Sequence, residues 1–118
     1  MGLTVLDVTH RRLASISPEI HSKGHCYAAL DVRRDVLIVA QRMAAIKSLI
    51  EECVGEPVSL ASLFESCNLQ LRKGRTGSFS VTRLTADELP SFLDEQQPRF
   101  ARTLIGAVNP ANWQLAPA

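Results

Sequence analysis

A chain of 118 residues has room for one hydrophobic core, and at this size neither disulfide nor metal is required to hold it together. Apolar residues at 46% against 21% charged exclude a disordered or low-complexity chain. With 13 basic and 12 acidic side chains and a net charge of +1, there is no global pull toward nucleic acid, membrane or acidic substrates, so any such case rests on local clusters.

In chain order, Met1 to Asp7 lack a basic start followed by an apolar stretch, so export is not expected. Leu6 stands where a myristoylation signal wants Ser or Thr. Leu3 to Val8 read as a strand, followed by the basic pair Arg11 and Arg12. Ser17, Pro18 and Glu19 suit a helix start, but Gly24 would end it at once, and 17–24 is expected to be a loop. Cys26 to Val32 alternate as a half-buried strand does, with Cys26, Ala28, Leu30 and Val32 on one side and Tyr27, Ala29 and Asp31 on the other.

Residues 33 to 54 carry Val36, Val39, Ala40, Met43, Ile46, Ile50 and Val54 at helical spacing, with Gly55 in the position of a C-terminal stop. This predicts a long amphipathic helix. Leu37, Ile38 and Leu49 fall outside its apolar stripe, so more than one face asks for burial. The unbroken apolar stretch Val36 to Ala40, which no other in the chain exceeds, is far too short to cross a bilayer.

Ser59 before Leu60, Leu63, Phe64 and Cys67 predicts a capped helix of about two turns that ends near Asn68. Leu69 to Arg72 and Ser78 to Arg83 alternate and flank Gly74 and Gly77, which predicts a β-hairpin. Thr85 and Glu88 match a capping box, but Pro90 would then fall one turn inside the helix, so Asp87 is the expected cap. Beyond Pro98, Phe100, Leu104 and Val108 suit a helix, and Thr103, Ile105 and Val108 suit a strand. Taken as a strand, this last element gives the order strand, long helix, hairpin, helix, strand. That is an α+β domain of split βαβ (ferredoxin-like) plan, with helices on one face of an antiparallel sheet. A mainly helical domain bearing one hairpin is the alternative. In either case 1–24 form an N-terminal extension of strand and loop, 25–108 the core and 109–118 a C-terminal tail.

The candidate chemistry is sparse. Cys26, Cys53 and Cys67 are odd in number and lack CxxC spacing, which reads as reduced thiols of a cytoplasmic protein. His21, His25 and Cys26, with His10 upstream, are the one group of good transition-metal ligands, but the spacing fits no zinc motif, and Gly24 breaks any shared helical face. No metal or other cofactor is expected. Nucleophile elbows, phosphate-cradling glycine loops and HExxH runs are all missing, which leaves an enzyme without positive support.

Arg72, Lys73, Arg75 and Arg83 give the hairpin four positive charges and no acid, as a phosphate-tracking ribbon has, and Arg33 and Arg34 could assist. The same composition also protects an exposed hairpin against aggregation. The broad apolar surface of the long helix favours a homo-oligomer, with Leu37, Ile38 and Leu49 as its contacts. The expectation is therefore a non-enzymatic cytoplasmic binding module that self-associates and engages an unidentified protein partner, with no membrane partner. A nucleic-acid-binding regulator is the alternative, and a small enzyme or metal protein around His21, His25 and Cys26 is the second alternative.

Overall fold

The apolar stretch Val36–Ala40 is a β-strand, not part of a helix, and every residue in it is buried. The computed structural model describes residues 4–8, 13–16, 25–69, 79–85, 87–107 and 113–115. Among these the chain order is β1 (Thr4–Asp7), β2 (Leu13–Ile16), β3 (His25–Asp31), β4 (Val36–Ala40), α1 (Met43–Val54), α2 (Leu60–Leu69) and β5 (Ser80–Thr85). These are followed by α3 (Leu89–Gln96), a single 3-10 turn (Gln97–Arg99), β6 (Arg102–Ala107) and β7 (Trp113–Leu115). Five strands form one mixed sheet in the order β1-β6-β4-β3-β5, and β2 and β7 form a separate two-stranded ribbon. Strands β4 and β6 run parallel, and the other pairs in the main sheet are antiparallel. The protein is a small α+β domain.

Alternation along β4 sends Val36, Ile38 and Ala40 to one face of the sheet and Leu37 and Val39 to the other. Met43, Ile46, Leu49 and Ile50 of α1 and Leu63 of α2 cover the first face. Leu89 and Leu93 of α3, with Trp113 of β7, cover the second. A strand covered on both sides reads as a continuous apolar run. Each fully buried Leu or Ile contributes roughly 1.5–3 kcal/mol relative to exposure, so β4 anchors both halves of the core.

Several expectations are corrected here. The helix expected over 33–54 is a turn, a strand and a shorter helix. The reversal at 32–35 closes with the Asp35 N–H donating to the Val32 carbonyl at 3.3 Å. The Asp31 carboxylate accepts the amides of Arg33 and Arg34 at 2.9 and 3.3 Å. Asp35 takes the left-handed conformation, φ 57°, so two aspartates supply what Gly or Pro usually signals. Val32, expected on the strand, lies at this tip and is 77% exposed.

The strand pair β3–β4 precedes the helices, and helices cover both faces of a mixed sheet, so the expected split βαβ order and one-faced arrangement do not hold. The mainly helical alternative fails at residues 102–107, which are strand β6. Of the expected 69–83 hairpin, residues 70–78 lie outside the described residues, Leu69 ends α2, and the second arm is β5, paired with β3. The strand expected at Leu3 to Val8 forms as β1, and the expected tail 109–118 contains β7. Strand β1 belongs to the main sheet, and Trp113 is buried in the core.

The helix ends follow their sequence signals more closely. Gly55, at φ 74°, donates its N–H to the Glu51 carbonyl at 2.8 Å and stops α1. The Ser59 hydroxyl accepts the Ser62 amide at 3.2 Å at the start of α2. Thr85 and Glu88 do form the reciprocal box set aside in favour of Asp87: the Thr85 amide donates to Glu88 Oε1 at 2.8 Å, and the Glu88 amide to Thr85 Oγ1 at 3.2 Å. The box closes the turn before α3, which leaves Pro90 in the first helical turn, where no backbone bond is lost.

Candidate functional site

Parallel pairing sets Val36 of β4 beside Arg102 of β6, and antiparallel pairing sets Asp7 of β1 beside Leu104. Helix α1 returns across this face of the sheet, and its C-terminal half lies over the strand ends. Between helix and sheet is a cleft of about 570 Å³, a size that suits a small organic ligand. Its floor is apolar, made by Val5, Val36, Leu49 and Leu104, and its rim carries Arg34, Arg102, Glu52 and Cys53.

The two arginines are held differently. Arg34 Nη1 donates to Asp31 Oδ2 at 2.6 Å, and that carboxylate is fully buried. The Arg34 guanidinium also stands 6.0 Å from the centre of the Phe79 ring, within reach of a cation–π attraction. These contacts orient the group. Arg102 Nε lies 3.6 Å from Asp7 Oδ2, between two side chains that are about half exposed, and an exposed pair of this kind contributes little.

Burial pushes the Cys53 thiol up, while Arg102 and Arg34 pull it down and Glu52 and Asp31 add to the rise. Charges of both signs, two guanidiniums and two carboxylates, therefore act on one sulfur. The negative end of α1 favours cations there. With its pKa raised, the thiol stays protonated at neutral pH and is a poor nucleophile.

A second hollow of about 440 Å³ adjoins the first and is lined by Val5, Ser48, Glu51 and Glu52. Its Glu51 is occupied, accepting Lys47 Nζ at 2.8 Å and the Val58 amide at 2.9 Å. The Lys47 hydrogen bond first, then the Val58 amide, hold the Glu51 carboxyl below its ordinary range. Glu52 is the exposed carboxylate common to both hollows.

Of the residues singled out by sequence, Arg34 lines the cleft and Arg33 is exposed on the same turn. Arg83 is exposed on β5 opposite Tyr27, about 13 Å along β3 from Asp31 at the usual rise per residue, so it does not join them. Arg72, Lys73 and Arg75 lie outside the described residues, as does His21. Leu37 and Ile38 are 0% and Leu49 1% exposed, so the proposed oligomer contacts are core residues with no surface to offer a second copy.

His25 opens β3. Cys26 is buried, and burial, with the Glu88 charge adding, pushes its thiol up to about 12. Among the described residues no group of three His, Cys, Asp or Glu is placed to hold a metal ion. Val5, Glu52, Cys53 and Arg102 escaped the sequence reading because only the parallel β4–β6 pairing brings Arg102 to Arg34, and no local pattern announces it.

No family model, no curated protein and no solved structure matches this chain. Among the described residues no helix is long and apolar enough to cross a membrane.

Proposed function

We propose that the chain is a non-catalytic binding module whose ligand site is the cleft beneath α1, where Arg34 and Arg102 take an anionic group. Two guanidiniums from distant parts of the sequence converge on the rim of an apolar-floored cleft, and this convergence carries the proposal. Charge-assisted hydrogen bonds from guanidinium to carboxylate are roughly twice as strong as neutral ones. The ligand's apolar body would rest on Val5, the exposed apolar side chain of the lining. The one thiol on the rim, Cys53, is held protonated, which favours binding over nucleophilic chemistry. Nucleic-acid binding through residues 72–83 is a separate reading, and the exposed Arg83 lies away from the cleft, so the cleft leads.

The test is titration of isotope-labelled protein with caproate, inorganic phosphate and the neutral caproamide, followed by amide chemical shifts. Caproate or phosphate should move the amides of Leu49, Cys53 and Arg102, and caproamide should not. Arg102→Gln should weaken anion binding by about tenfold, the scale of one hydrogen bond to a charged group. Arg102 is the cleaner probe, because removing Arg34 would also take a charged hydrogen bond from the buried Asp31. Absence of any anion-dependent shift at the cleft overturns the proposal.

A further inference from the structure

We infer that the ligand of this cleft is a linear zwitterion, a carboxylate and an ammonium joined by an apolar spacer, an inference that rests on the reading of the cleft as an anion site. The two hollows share Val5 and Glu52 and differ at their far ends. One carries Arg34 and Arg102. The other carries Ser48 and Glu51 and neither arginine.

On α1, Ser48 and Glu52 are one helical turn apart, about 6 Å along the axis, and share a face. Glu51 is committed to Lys47 and the Val58 amide, so Glu52 is the acceptor that meets an ammonium, with the Ser48 hydroxyl beside it. Val5, an exposed apolar side chain, supplies the apolar surface between the poles. A phosphate monoester would bring extra negative charge against Glu52 on the same rim, and a plain carboxylate would leave Glu52 facing an apolar tail. A zwitterion satisfies both ends, so selectivity arises from the acidic pole as much as from the basic one.

The experiment compares binding of ε-aminocaproate, caproate and hexylamine to the full chain by the same shift titration. The zwitterion should bind about three- to fivefold more tightly than caproate, the scale of a solvent-exposed charge pair. Hexylamine should be the weakest of the three, and only the two amine-bearing ligands should move the Ser48 and Glu52 amides. Glu52→Gln, at an exposed position, should bring ε-aminocaproate and caproate to equal affinity. Equal binding of ε-aminocaproate and caproate, or an advantage that survives Glu52→Gln, overturns the zwitterion and leaves the anion site standing. No binding by any carboxylate overturns the anion site itself.

Discussion

The Asp35 carboxylate accepts the amide N–H of Ala101 at 3.0 Å, across 66 positions of sequence, and the Asp35 carbonyl accepts the Arg102 amide at 3.3 Å. One aspartate thus locks the β3–β4 turn to the start of β6 and so holds Arg34 and Arg102 on the same rim. Asp35→Ala should cost about 1–2 kcal/mol, because the side-chain bond is lost while the left-handed backbone remains. Asp35→Asn should cost less, since Asn keeps an acceptor and tolerates that backbone. Urea denaturation of both variants checks the ranking, and Asp35→Ala should also weaken anion binding at the cleft.

Gly106, on β6 beneath α1, has no space for a side chain. A Cβ there would stand 3.1 Å from Ala45 Cβ and Leu49 Cδ1 and 3.3 Å from Ala40 Cβ. Gly106→Ala should destabilise by about 1–3 kcal/mol through overpacking. Adding Ala45→Gly should recover part of that loss if helix and strand truly touch, and a double-mutant cycle measures the coupling. Additive effects would mean that α1 has already moved away.

Cys26 gives the fold an alkaline limit. Its thiol is raised from 9.0 to about 12 by burial, with Glu88 adding, so the folded state keeps a proton that the unfolded state releases. The stabilisation is complete below pH 9 and is lost as pH rises toward 12, at about 1.4 kcal/mol per pH unit from this group. Chemical unfolding between pH 8 and 10.5 should show the decline, and Cys26→Ala should flatten it by that amount. Iodoacetamide at neutral pH should leave Cys26 unmodified until the chain unfolds.

Glu51 acts at the other end of the scale. Its carboxyl is held down by Lys47 and the Val58 amide, so its contribution is present above its ordinary 4.5 and fades as pH falls below that value. Glu51→Gln should lower Tm at pH 7 and leave it nearly unchanged at pH 3. Equal loss at both values would show that packing, not charge, is responsible.

What the sequence made legible depended on whether a local rule applied. Gly55, Ser59 and the alternation of Cys26 to Val32 each act within a few residues, and each holds except at Val32, which lies on the turn. The alternation also separates the two faces of the core, with Cys26 and Ala28 on one and Tyr27 and Ala29 on the other. Val36–Ala40 was misread because a strand buried on both faces loses its period of two, and five consecutive apolar residues fit a helix as well. The turn before it was hidden because Asp35, not Gly, takes the positive φ. Arg34 was named for its charge, as an aid to the basic hairpin. Its partner Arg102 was not, because their proximity comes from a parallel pairing that no nearby residue encodes.

The placement of β6 also governs when the protein can fold. β6 lies between β1 and β4 and pairs with both, and β1 comes from the opposite end of the chain. During synthesis at roughly 5–20 residues per second, β1 and the inner edge of β4 wait for almost the entire chain to emerge before their neighbour arrives. Contacts this remote in sequence make for slow folding. Until β6 docks, the apolar residues of β4 stand at an open sheet edge on the ribosome, so a chain truncated before residue 102 should aggregate instead of forming a smaller version of the domain.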